Sequence, residues 1–118
     1  MTDTPRWTLP LLMAGQAQKE IAHNEALLAI DRVLHLAVKE RTVVEPPPEA
    51  GLGDTLIIGP GPAGAWAGCA GRLASFDGSG WTVTAPREGC LAWIKAEAAL
   101  VVYHADGWHV VGTLARAT

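Results

Sequence analysis

A chain of 118 residues with an apolar fraction of 49% suits one domain with a buried core and argues against disorder throughout. Its net charge of −3, with no basic stretch to neutralise phosphates, argues against nucleic-acid binding, and no apolar run reaches the roughly 18 residues that a membrane span needs. Charged residues make up only 18%, below the roughly 25% usual in soluble proteins, so part of the surface is expected to lie against another molecule.

Residues 1–12 are predicted to be extended, because Pro5 and Pro10 each bar the α region to the residue before them. The short apolar piece from Leu9 to Gly15 has no charged segment ahead of it and runs straight into Gln16, Gln18 and Lys19. That pattern is unlike a signal peptide. A helix is predicted from Met13 or Ala14 to about Glu40, on a run rich in Ala, Leu, Gln, Glu and Lys. Its first half is polar. Its second half places Leu27, Ile30, Val33, Leu34, Ala37 and Val38 on one stripe, expected to pack on the domain's own core.

A polar half-helix of this length is marginal alone in water and needs a partner to stay formed. The expected contact uses Trp7, Leu9, Leu11, Leu12 and Met13 as apolar anchors, with Gln16, Gln18 and Asn24 as hydrogen-bonding groups. The expected assembly is a homo-oligomer of three or five copies.

Thr42 to Glu49 reads as a short strand-like piece stiffened by Pro46, Pro47 and Pro48, where the helical part (1–45) gives way to a β part (46–118). Thr55 to Ile58 is predicted as a strand apolar on both faces, and Gly59 to Gly64 as a plain loop. Shifting residues 64–83 by 27 positions lays them on 91–110. Trp66 then meets Trp93, Phe76 meets Tyr103, and Trp81 meets Trp108. Each unit reads as a hairpin, with an aromatic before a Gly- and Asp-containing turn and a Trp after it. The fold class expected is α+β: one N-terminal helix with a projecting arm, then a small antiparallel sheet built from two repeated hairpins.

No spacing in the sequence carries catalysis, cofactor binding or a metal site. His23, His35, His104 and His109 form no HExxH or HxH pattern, and Cys69 and Cys90 form no CxxC. The two cysteines are expected to be small buried hydrophobes in a reducing compartment. Glu88 has no spacing that pairs it with Asp54, Asp77 or Asp106, and Ser75 and Ser79 lack a nucleophile context. Trp66, Trp81, Trp93 and Trp108 are read first as core or subunit interface and second as a platform for sugar rings.

The stretch LPLLMAGQAQKEIAHNEALLAID, followed by GLGDTLIIG, GAWAG, the DGSGW turn, PREG and a final DGW, resembles one small domain of unknown function. That domain recurs in alphaproteobacterial prophages and gene transfer agents. The resemblance runs from about Thr8 to Val111. Its most specific part is Ala17-Gln18-Lys19 followed by His23-Asn24-Glu25-Ala26-Leu27. It implies a virion structural protein without catalytic residues or cofactors, made in the bacterial cytoplasm and carried on the particle surface. There it would serve as a head-spike base or fibre anchor, touching capsid or fibre proteins directly and host capsular polysaccharide indirectly. Neither nucleic-acid binding nor membrane insertion is expected. The competing expectations are a carbohydrate-binding module working through its tryptophans and, less favoured, a hydrolase of cell-surface polymer.

Overall fold

A computed structural model describes residues 2–13 and 19–114. The chain is α+β, and its described residues hold one α-helix, α1 (Lys19–Val33), and seven strands. The strands are β1 (Ala37–Val38), β2 (Thr55–Ile57), β3 (Leu73–Phe76), β4 (Trp81–Thr84), β5 (Leu91–Ile94), β6 (Ala99–His104) and β7 (Gly107–Thr113). Two compact units divide it, Met1–Leu34 and His35–Thr118.

In the first unit, residues 2–11 are not an extended arm. They fold back on themselves, with Asp3 bridged to Pro10 and Leu11 N–H donating to the Thr2 carbonyl at 3.0 Å. Thr4 and Asp31 are buried at 2% and 1% exposure. Helix α1 is shorter at its C-terminal end than the composition predicts. It stops at Val33 because His35 takes a left-handed conformation (φ 43°) and Leu36 to Val38 enter a sheet. Arg6 supplies the missing terminal donors, its guanidinium giving hydrogen bonds to the carbonyls of Asp31 (2.7 Å) and Leu34 (2.9 Å). A cation at this end also complements the helix dipole. The start predicted near Met13 or Ala14 falls largely outside the described residues; Met13 itself is not helical.

The part of the expected apolar stripe that lies on α1 does not reach a core. Ile30 and Val33 remain 49% and 42% exposed, and the one buried residue of α1 is Asp31. Leu34, Ala37 and Val38 lie beyond the end of α1, so the predicted stripe is not one helical face. Leu27 is half-buried on α1, while Ala37 and Val38, half-buried and buried, are strand residues.

In the second unit, β1-β5-β6-β7 form a mixed four-stranded sheet and β2-β3-β4 an antiparallel three-stranded one. The single antiparallel sheet that hairpin logic predicts is thus replaced by two sheets, one with a parallel pair, β1 beside β5. The reason is the chain just after α1. Ala37 and Val38 pair with Trp93 and Ile94, and then Lys39 N–H donates to Thr55 O (2.8 Å) while Glu40 O accepts from Ile57 N–H (3.1 Å). One short segment therefore serves both sheets.

The alternation of β2 explains its apolar run. Ile57 joins Leu36, Val38, Leu73, Ala92, Ile94 and Val101 in one buried cluster, so this core draws on both sheets. Leu56 and Ile58 point the other way, to Trp66 and Ala74 in a second cluster. A strand buried on both faces has no polar face to show. Thr42 to Glu49 forms no strand, and Gly64–Trp66 is a single 3-10 turn.

Candidate interaction surfaces

The sequence-predicted contact residues sit in the first unit. Trp7, Leu12 and Met13 are exposed at 44%, 36% and 70%, while Leu9 and Leu11 are half-buried. Gln16 and Gln18 lie outside the described residues. Asn24 is committed within the chain: its side chain accepts from Leu12 N–H (2.8 Å) and donates to Leu12 O (3.0 Å), a two-sided clamp on the backbone. It positions the N-terminal segment on α1.

Asp31 organises this unit. Its carboxylate accepts from the Thr4 hydroxyl (2.7 Å), the Arg6 N–H (2.9 Å) and the Trp7 N–H (2.7 Å). Trp7 Nε1–H adds a bond to Leu34 O at 2.9 Å. Burial lowers the Arg6 pKa, and the neighbouring Asp31 charge opposes that shift. Pattern reading missed Asp31, although one acid inside the run Leu27, Leu28, Ile30, Asp31, Val33 was a signal that it answers to something buried.

The tryptophans of the second unit are mostly structural. Trp66, named as a candidate sugar contact, is 3% exposed and meets Trp81 edge-on at 5.7 Å between ring centroids, so it offers no face to a sugar. Trp81 also lies 5.3 Å from Phe76, its directly opposed residue across β3 and β4. Trp108 stands 5.3 Å from Tyr103, its opposed residue across β6 and β7, and donates Nε1–H to Gly71 O at 2.8 Å. Trp93 is half-buried on β5. One wall of Trp108 borders an open cleft of about 370 Å³ lined also by Arg41, Pro60 and Asp106. Arg41 is already held there by Glu97, through two bonds of 2.8 Å.

The chain brings together one titratable group that spacing did not reveal. Glu88 binds the β6–β7 turn, its carboxylate 2.6 Å from His104 Nδ1 and accepting from Ala105 N–H at 3.1 Å. His109 lies across the hairpin, its ring 5.9 Å from that of His104 and its Nε2 3.0 Å from His104 O. The hydrogen bond to Glu88 raises the His104 pKa above its ordinary 6.5, and the same bond lowers that of Glu88 below 4.5. Both side chains are about two-thirds exposed, so the pair orients a turn and encloses no substrate. Cys69 and Cys90 are unpaired and half-buried, against the second and first clusters respectively, and burial raises the Cys90 pKa. Among the described residues no group of three or more His, Cys, Asp or Glu is placed to hold a metal ion. No helix among them is long and apolar enough to cross a membrane.

The model of a protein family of unknown function, DUF2793, matches residues 23–109, well over half of the chain. The chain belongs to DUF2793. No curated protein matches it. In DUF2793 terms, the match opens inside α1 at His23 and closes on β7 at His109, so it spans most of α1 and both sheets.

Proposed function

We propose that this DUF2793 chain is a structural virion protein of a phage-like particle or gene transfer agent, a head-spike base or fibre anchor that supports attachment to the host cell surface. The observation that carries the reading is the apolar surface that a lone copy leaves in water. Ile21, Ile30 and Val33 on α1 are 54%, 49% and 42% exposed, and Val110, Val111 and Leu114 at the β7 edge are 51%, 59% and 66% exposed. Strand β7 is an outer strand of its sheet, with one backbone edge that no strand among the described residues covers and no Lys or Pro to discourage pairing. Surfaces of this kind are covered in an assembly. The resemblance of the α1 pattern and the DGSGW and DGW turns to a prophage and gene-transfer-agent domain supplies the kind of assembly.

In this reading the protein is not an enzyme and needs no cofactor. It is a homo-oligomer on the particle surface, bound to capsid or fibre proteins, with host polysaccharide reached indirectly and neither nucleic acid nor membrane as a partner. The paired aromatics Phe76–Trp81 and Tyr103–Trp108 are, in the same reading, the marks of one hairpin unit used twice. Deleting the gene tests the role: the particles are expected to form but to lose adsorption to host cells, and unchanged adsorption contradicts it.

A carbohydrate-binding module is the second reading, favoured by the Trp108 cleft alone. It predicts glycan binding by the isolated chain, abolished by Trp108→Ala with the fold intact.

A further inference from the structure

We propose that two copies of this chain pair through the outward face of α1, with the two helices running antiparallel. The helix has two unlike sides. One carries Asn24 and Asp31, which fasten residues 4–12, and this side is occupied. At 3.6 residues per turn, Ala22, Ala26, Ala29 and Val33 form a 4-3-4 seam on the opposite side, with Ile30 beside it. All five are exposed. An apolar seam with coiled-coil spacing and no cover among the described residues of its own unit is the geometry of a helix that packs on another helix.

Two features commit the occupant to a second copy in reverse direction. The first is size. The small residues Ala22 and Ala26 lie toward the N-terminal end of the seam, and the bulky Ile30 and Val33 toward the C-terminal end. A parallel pair sets Val33 against Val33 and alanine against alanine, crowding one end and leaving a gap at the other. A reversed pair sets each Val33 against Ala22 of the second copy, and each Ala26 against its Ala29, so bulk meets space at both ends of the seam and the helices close on alanines between.

The second is charge. Glu25 and Arg32 flank the seam on one edge, seven residues apart, about 10 Å along the axis and beyond each other's reach. Neither has an ion-pair partner among the described residues, and Arg32 Nε is shielded from water without a hydrogen bond. A two-fold axis between the helices brings each Glu25 to Arg32 of the second copy, twice per pair, as an isologous contact requires. A parallel arrangement offers neither charge a counterpart. On this inference copy number is even, and a ring of three or five needs another contact.

The pairing goes beyond the virion reading and is measured on the purified full chain with no particle present, so either fails without the other. Sedimentation equilibrium should show reversible dimers at about 100 µM, the range in which modest interfaces associate. Glu25→Arg and Arg32→Glu should each weaken association about tenfold, since symmetry doubles each repulsive contact, and the double variant should restore it. Oxidative cross-linking tests direction, in a chain whose Cys69 and Cys90 are replaced by Ala. A mixture of Ala22→Cys and Val33→Cys chains should give the disulfide-linked mixed dimer, and each alone should form no cross-link. A wild-type monomer at the highest concentration, a double variant that fails to recover, or disulfide-linked homodimers from either single-cysteine chain overturns the proposal.

Discussion

Asp31 sits at the C-terminal turn of a helix, where a carboxylate is opposed by the dipole, and is nevertheless 1% exposed. Three donors from residues 4–7 make that tolerable, so Asp31→Ala removes the acceptor of all three. The expected loss is about 2–4 kcal/mol within residues 2–34, since bonds to a charged acceptor outweigh neutral ones. Hydrogen exchange at the Arg6 and Trp7 amides should accelerate by at least about thirtyfold, as that energy implies. Gly59 is constrained by space, because a Cβ there falls 2.9 Å from the backbone carbon and oxygen of Thr42. Gly59→Ala should therefore destabilise by about 1–3 kcal/mol, read as a lowered denaturant midpoint. The Glu88–His104 pair sets a pH dependence whose sign is fixed. His104, raised, contributes fully below 6.5 and loses that contribution as pH climbs through its folded value. Glu88, lowered, contributes above 4.5 and loses it as pH drops through its folded value. The β6–β7 turn is thus firmest between about pH 4.5 and 6.5, where both groups are charged. Glu88→Gln should move the His104 titration, followed by its ring proton shifts, back toward 6.5; an unchanged titration contradicts the assigned bond.

At the scale of elements, Trp66 is the tryptophan with most to lose. It is 3% exposed among Leu56, Ile58 and Ala74, so Trp66→Ala should cost about 3–5 kcal/mol in a denaturant melt. Trp81 and Trp108 are half-buried and should each cost less. What the sequence made legible here is local. β2 showed as an apolar run, and the α+β class followed from one helical pattern ahead of the Gly-punctuated strands. The aromatic before each turn and the Trp after it are opposed across their strands. What stayed hidden is non-local. Nothing in Leu36 to Val38 distinguishes the end of a helical stripe from a buried parallel strand, because Leu and Val fill either. The choice is made by Trp93 and Ile94, more than fifty residues later in the chain. The partners of Asp31 and Glu88 were illegible for the same reason: each is reached only once the chain has turned back.

At the scale of the whole molecule, both hydrophobic clusters draw only on residues from Leu36 onward. Residues 35–118 should therefore fold without the first unit, giving a cooperative melt and the circular dichroism of a β protein. Removing residues 1–25 should do more than strip a marginal polar helix, because it takes away Thr4, Arg6 and Trp7 and leaves the Asp31 carboxylate with no partner from them. The remnant of α1 should unravel while the two sheets persist. The central claim is that the chain is built into a particle. Its most direct test is quantitative mass spectrometry of phage-like particles purified by density gradient from the cells that encode it. The chain is expected in the particle band at a fixed ratio to the major capsid subunit, retained through repeated washing. Its absence from that band, with all of it recovered among the free proteins of the lysate, would overturn the virion role.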